Sequence, residues 1–213
     1  MGFSPHIVRL APLICATEDA TSVCKIPRTE LDSHANMVVV GRHCTVFDTT
    51  GKTCTVNAFS KSAGHMEDVP IVDAVIAYDC PFQSKTFLLL MRNALYIPEL
   101  EVNLLPPFIV READIPIDEC PKSQAAHPTV DNHSMYLPSQ DLRIPIQLRH
   151  TFSYFESRKP TNDELSQCDK IFITPDSTNW NPYSLHFSLN EDAMTDCDGE
   201  IRQVPIHERH LAD

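Results

Sequence analysis

The sequence predicts a mainly β fold, and three observations support this prediction. Short runs rich in β-branched and aromatic residues recur along the 213 residues. Most of them are bounded by Gly, Pro, Asp, Asn or Ser, which is typical of strands joined by turns. Helical periodicity is scarce. Only 5 Gly accompany 17 Pro, which excludes Gly-rich phosphate loops and disfavours a long parallel α/β arrangement.

Eight runs have the composition of strands. They are Met37–Val40, Cys54–Phe59, Val69–Tyr78, Thr86–Met91, Ala94–Ile97, Ile144–Leu148, Phe152–Phe155 and Ile171–Ile173. Thr49–Lys52 is predicted to be a turn between two strands. Asp79–Ser84 is predicted to be the loop of a hairpin that joins Ile71–Tyr78 to Lys85–Ile97. The polar stretch Ser60–Asp68 lies between two strands and is predicted to be an exposed tip.

Two short helices are expected. Thr161 and Glu164 form a capping box, in which Thr bonds forward to the backbone and Glu bonds back, so a helix of about two turns should begin there. Phe108–Ala113 follows Pro106 and Pro107 and is the second candidate.

Charge and polarity divide the chain into four expected segments. The stretch 31–98 is the most apolar and has five basic and six acidic residues, so the main β-domain is placed at 29–118, after an N-terminal extension at 1–28. Residues 119–141 are polar and contain prolines, which predicts a linker. Residues 142–213 are then expected to be a β-rich C-terminal extension.

Net charge and cysteine usage exclude several classes of partner. Lys and Arg number 17 against 29 Asp and Glu, which gives a net charge of −12. A polyanion is repelled by nucleic acid and by anionic membranes, so neither is expected as a partner. Residues 1–16 make a poor signal peptide and no membrane span. The eight cysteines include no C-x-x-C pair, which favours mostly reduced thiols in an intracellular, cytoplasmic protein.

The ten histidines do not form a metal-binding pattern. The closest clusters, His43–Cys44 and His207–His210, lack a second pair at ligand spacing. Asp196–Ile201 resembles the centre of a calcium loop. Alignment on its Gly, however, puts Met194 at the first ligand position and Pro205 at that of the bidentate Glu. The sequence therefore predicts neither a metal site nor a cofactor.

A polar loop in front of an apolar strand is the sharpest local feature. Asp32 and Ser33 are followed by His34 and Ala35, and then by Met37–Val40. A tight loop at this point would direct one carboxylate out of the sheet, while the serine hydroxyl bonds to neighbouring backbone. On these residues alone an Asx-turn between two strands is the commoner explanation, and a catalytic carboxylate is the alternative.

A second segment gives this loop a family context. Arg92–Pro98 is followed by Asn103, Leu104 and Leu105. Together, the Asp32 loop and this segment resemble the retropepsin-like aspartic protease region of copia-type (Ty1/copia) retrotransposon Pol polyproteins. The resemblance covers residues 30–112, and it implies a closed β-domain of the acid-protease fold.

The resemblance also implies a mechanism and a set of site residues. Asp32 would be the catalytic carboxylate, Ser33 the hydroxyl that bonds across a homodimer, and Ala35 the small residue behind the loop. Two Asp32 carboxylates sharing one proton would activate a water that hydrolyses an extended peptide or polyprotein substrate. The flap that closes over the substrate would be the segment Ser60, Lys61, Ser62, Ala63, Gly64, His65 and Met66.

One position departs from the family pattern. His34 stands where the family has Gly, and a positive φ there would strain a non-Gly residue by about 1–2 kcal/mol. This departure supports an alternative function, in which the chain is an inactive remnant or a captured polyprotein fragment that serves as a non-enzymatic binding or structural module.

Overall fold

A computed structural model of the chain describes residues 7–10, 26–58, 64–175 and 180–201. The fold is mainly β, as the sequence predicts. The chain divides into two compact units, of which the first ends at Asn179 and the second begins at Trp180. The expected N-terminal extension lies mostly outside the described residues, as do the flap residues Ser60–Ala63 and the pair His207–His210.

Thirteen strands and three helices are described in these residues. The strands are β1 (Ile7–Leu10), β2 (Arg28–Leu31), β3 (Val39–Val40), β4 (Thr45–Ala58), β5 (His65–Cys80), β6 (Lys85–Tyr96), β7 (Val102–Leu105), β8 (Ile117–Asp118), β9 (Ser134–Leu137), β10 (Leu142–Pro145), β11 (Gln147–Arg149), β12 (Phe152–Glu156) and β13 (Asp169–Phe172). The helices are α1 (Pro107–Arg111), α2 (Asn162–Gln167) and α3 (His186–Ala193). A 3-10 turn covers Pro138–Gln140. None of the described helices is long and apolar enough to cross a membrane.

Ten of these strands form one mixed sheet. Its order is β1-β4-β5-β6-β3-β7-β2-β12-β11, and β13 pairs with β6 off this path. The path runs from one edge to another without returning to its start, so the described sheet is open and the expected closed β-domain is wrong in this respect. Strands β8, β9 and β10 form a separate antiparallel sheet.

The core lies where β5 and β6 pair. Ala74–Tyr78 and Phe87–Met91 are continuous buried runs, in which Ile76, Leu88 and Leu89 have no exposed surface. Such unbroken apolar runs are expected for strands that are covered on both faces. The loop between the two strands falls at residues 81–84, inside the predicted loop Asp79–Ser84, so the predicted hairpin is confirmed.

Two predicted breaks in strands are bulges instead. Thr49–Lys52 was expected to be a turn, but it lies inside β4, where the register with β5 shifts and Gly51 has a φ of 69°. Thr86–Met91 and Ala94–Ile97 are likewise one strand, β6, with Asn93 at a φ of 52° beside a register shift. A residue with positive φ is found in turns and in bulges alike, so the local sequence does not distinguish a turn from a bulge.

The small sheet crosses the expected boundary at residue 142. Strand β9 lies inside the expected linker and pairs with β10 through Leu137↔Leu142 and Ser134↔Pro145. The single predicted strand Ile144–Leu148 is two strands in different sheets, β10 and β11. Strand β10 ends at Pro145, and the Ile146 N–H still donates to the His133 carbonyl at 2.8 Å before the chain enters β11.

The C-terminal part of the first unit is built into the main sheet. Strand β12 pairs with β2, and β13 pairs with β6. Between them lies α2, whose Thr161 and Glu164 make the predicted capping box, so this helix is confirmed. The helix predicted at Phe108–Ala113 is present as α1, one residue earlier. In the second unit, α3 follows Trp180, whose ring lies 5.5 Å from that of Phe187.

Candidate functional site

Three paired strands hold the start of the Asp32 loop. Strand β2 lies parallel to β7 with Leu31 opposite Leu105, and it lies antiparallel to β12 on its other side. The Asp32 N–H then donates to the Leu105 carbonyl at 3.2 Å, one residue past the last ladder pair. Asp32 therefore leaves the sheet at a defined point, where β7 also ends.

The loop holds one carboxylate by a backbone donor. The His34 N–H donates to Asp32 Oδ1 at 2.9 Å, and the Ala35 N–H lies 3.4 Å from the Asp32 carbonyl oxygen. Ala35 is buried, as a small residue packed behind the loop should be. The Asp32 side chain is 17% exposed, so it is held by the protein and still reaches solvent. A carboxylate in this position can accept a proton or deprotonate a water.

His34 fits this loop without backbone strain. It is absent from the described non-Gly residues with positive φ, so the cost considered for a non-Gly residue at this position does not arise. Its ring is 83% exposed, and Nδ1 lies 4.0 Å from Asp32 Oδ1. The Ser33 hydroxyl, also on the surface, lies 3.5 Å from the same nitrogen. The imidazole therefore stands beside the carboxylate on the open side of the loop.

The flap residues that are described lie on a different part of the sheet. His65 and Met66 begin β5 and pair with Asn57 and Val56 of β4, and both side chains are exposed. Gly64 has a φ of 86°. In the strand order, β6, β3 and β7 separate β5 from the strand that carries Asp32. Asp32, Ser33, His34 and Ala35 thus form one loop, whereas the described flap residues Gly64, His65 and Met66 lie at the start of β5.

A chain of buried polar groups behind the loop was missed by the sequence analysis. The Gly41 N–H donates to Asn103 Oδ1 at 2.9 Å, and Asn103 Nδ2 donates to Thr29 Oγ1 at 3.2 Å. Thr29 Oγ1 in turn lies 2.8 Å from Ser157 Oγ. Thr29 and Asn103 have no exposed surface. The only sequence signal was the polar Asn103 between apolar residues, because the other members are far apart in the chain.

Arg158 is the centre of the strongest ion pairing described in the first unit. Its guanidinium donates to both Asp79 oxygens at 2.7 and 2.8 Å, and to both Glu164 oxygens at 2.9 and 2.6 Å. These bonds lower the pKa of Glu164 to about 2 and hold the pKa of Asp79 below its ordinary value. One guanidinium is shared by two carboxylates, whose oxygens it holds by four hydrogen bonds, so the arrangement ties segments together rather than presenting a reactive group.

The described cysteines and histidines do not add a second reactive centre. The six cysteines that are described are free thiols. Burial raises the pKa of Cys44 and of Cys54 to about 11, which keeps both thiols protonated and poorly nucleophilic. Across residues 7–10, 26–58, 64–175 and 180–201, no three His, Cys, Asp or Glu side chains lie close enough together to hold a metal ion.

Comparison with protein-family models, with curated proteins and with solved structures finds no match to this chain. Its function must therefore be argued from the geometry of the Asp32 loop and from the sequence motifs that surround it.

Proposed function

We propose that the chain is the aspartic endopeptidase of a retrotransposon polyprotein and that it acts as a homodimer. The observation that carries this proposal is the held carboxylate of Asp32, which receives a backbone N–H from His34 where β2 leaves the sheet. The two segments on which the retropepsin resemblance rests are also neighbours here, because Leu31 and Leu105 pair immediately before Asp32.

Two copies of this loop would make the catalytic pair. One chain supplies one Asp32, and a two-fold axis beside the exposed Ser33 brings a second to it. Two carboxylates in contact cannot both ionise, so one keeps a proton while the other acts as base. The base deprotonates a water that attacks the peptide carbonyl, and the acid protonates the carbonyl oxygen as charge develops on it.

The substrate class follows from the β architecture. A polypeptide in extended conformation would lie across the Asp32 loops of the two copies, held by strand-like backbone hydrogen bonds. The β4–β5 hairpin, which lies on a different part of the sheet, would have to reach this peptide to act as the flap. The outer residues of this hairpin, such as Met66, are exposed and therefore available to a ligand.

The test compares the wild-type protein with Asp32→Asn on fluorescently labelled, denatured casein. Asn cannot act as acid or base, so we expect cleavage to fall at least about 100-fold. Asp48→Asn is the matched control, since Asp48 is exposed on β4 and its side chain, like that of Asp32, accepts a hydrogen bond from a neighbouring backbone N–H, that of Thr49. Sedimentation equilibrium on both proteins should give a dimer mass. Equal cleavage by the wild type and by Asp32→Asn would remove the proposal.

A second candidate function rests on His34. Its imidazole stands beside the carboxylate where the related family has no side chain, which supports a non-enzymatic role for the same fold. In that case the wild type, Asp32→Asn and His34→Gly would all leave casein intact. Cleavage that appears only in His34→Gly would show that the histidine alone has silenced an otherwise competent loop.

A further inference from the structure

The buried polar chain behind the Asp32 loop ends on a residue that the resemblance does not cover. Ser157 follows β12 and lies 45 residues beyond the segment 30–112. Its backbone N–H donates to the Pro27 carbonyl at 3.2 Å, and its hydroxyl lies 2.8 Å from that of Thr29. Ser157 therefore contacts the residues on both sides of Arg28, the first residue of β2.

These hydrogen bonds form one connected series. Gly41 donates to Asn103, whose side-chain amide donates to the Thr29 hydroxyl. That hydroxyl shares a hydrogen bond with the Ser157 hydroxyl, in which either oxygen can donate, so every group from Gly41 to Ser157 has a partner. Hydrogen bonds in such a series polarise one another, and a buried hydroxyl that loses its partner is costly.

The same series of hydrogen bonds crosses the elements that position Asp32. Thr29 and Asn103 face each other in the β2–β7 ladder, two pairs before Leu31 and Leu105. Gly41 follows β3, and the backbone of Leu100 approaches it so closely that a Cβ would lie 2.3 Å from the Leu100 oxygen. The polar chain therefore sets the spacing of β2, β7 and the turn after β3.

We propose that Ser157 is a positioning residue for the Asp32 carboxylate, acting through the hydroxyl of Thr29. The inference rests on the proposed protease function, because it gives the C-terminal strands of the first unit a part in the same site. Strand β12 is then a component of the catalytic domain rather than an appendage to it.

The test uses two serines of one segment in the full chain. Ser157→Ala removes the hydroxyl that faces Thr29. Ser153→Ala is the matched control, because Ser153 lies on β12 and makes a comparable side-chain bond of 2.9 Å to His133. On a fluorogenic peptide taken from a casein cleavage site, we expect Ser157→Ala to lower kcat roughly 10-fold with KM unchanged, and Ser153→Ala to stay within about twofold.

A second pair of variants separates the hydroxyl from simple packing. Thr29→Ser keeps the hydroxyl and should keep kcat, whereas Thr29→Val keeps the shape and should lower kcat as Ser157→Ala does. The double variant Thr29→Val with Ser157→Ala should be no slower than Thr29→Val alone, since Thr29→Val already removes the contact with Ser157 as well as the one with Asn103. Multiplicative losses in the double variant would contradict the inference.

Amide hydrogen exchange provides a readout that does not need activity. The Asp32 N–H bonds to Leu105, so a loosened β2 should speed its exchange at least about fivefold in Ser157→Ala but not in Ser153→Ala. If both serine variants match the wild type in kcat and in exchange, the inference is overturned while the protease function stands. If the wild type cleaves no better than Asp32→Asn, the proposed function fails, and the exchange rates still decide whether Ser157 holds the loop.

Discussion

The two ends of β5 differ in how they are supported. The inner end, Ala74–Tyr78, is buried throughout, pairs with β6 and is bridged on its other side by Arg158, which exchanges two backbone hydrogen bonds with Ala77. The outer end, His65–Asp68, is exposed, and the described pairing with β6 begins only at Ile71. One continuous strand is thus fixed in the core at one end and held by a single neighbour at the other.

This difference has a functional consequence for the proposed protease. A hairpin that opens and closes over a peptide must move at little cost, whereas the sheet that carries the catalytic loop must not move. In the proposed protease the long strand would meet both requirements, because its inner end is buried and its outer end is exposed. Predictions that act on the two ends should therefore have very different effects on stability.

The largest difference is expected for truncation of an apolar side chain at each end. Ile76→Ala leaves a cavity at a site with no exposed surface, and it should lower the free energy of unfolding by about 2–5 kcal/mol. Met66→Ala, at a residue 43% exposed, should cost less than about 1 kcal/mol. Urea unfolding followed by circular dichroism measures both. Similar losses in the two variants would show that the outer end is as well packed as the inner end.

Two glycines outside β5 test the related contrast between a closely packed and an open position of the backbone. An alanine Cβ at Gly41 would lie 2.3 Å from the Leu100 oxygen, so the turn behind the Asp32 loop must shift, and we expect a loss of about 2–3 kcal/mol. At Gly51, in the bulge of β4, no atom lies within 4 Å of such a Cβ, and only the φ of +69° opposes it. Gly51→Ala should therefore cost about 1 kcal/mol. Thermal unfolding of both variants measures the two losses. A larger loss for Gly51→Ala than for Gly41→Ala would show that the bulge is the tighter constraint.

Local patterns predicted the elements whose contacts are local. The β5–β6 hairpin follows from two apolar runs around a polar loop, and α2 follows from Thr161 and Glu164, three residues apart. The tight loop at Asp32 also follows from the residues next to it. In each case the contact that defines the element is local: the Cys80↔Lys85 pair beside the loop, the Thr161–Glu164 capping box, and the His34 N–H on Asp32.

Pairings between distant segments were not predicted. Thr29 and Ser157 are 128 residues apart. The sequence of β12 indicates a strand, but it does not indicate that the partner of this strand is β2. Residues 142–175 were therefore expected to lie outside the main domain. The Arg158 cluster was missed for the same reason, since Asp79 and Arg158 are brought together only when the sheet is assembled.

The smallest effect that we expect to measure concerns the ion pairs of the inner end. Arg158→Leu removes the bonds that join Asp79 at the end of β5 to Glu164 in α2. Because the three side chains are 35%, 56% and 20% exposed, solvent screens their attraction, and the loss at neutral pH should be about 1 kcal/mol. Glu67→Gln, at the exposed outer end, should change stability by less than about 0.5 kcal/mol.

The pH dependence identifies the contribution of Arg158. The pKa of Glu164 in the folded protein is about 2, below its ordinary value of 4.5, chiefly because the guanidinium bonds to the carboxylate. Stabilisation by this pair is therefore complete above pH 4.5 and is lost as the pH falls towards 2. Asp79, whose pKa is lowered by the same guanidinium, adds to the slope in the same direction. Unfolding free energies measured across this range should fall less steeply for Arg158→Leu than for the wild type, and parallel curves would mean that Arg158 stabilises the inner end only by packing.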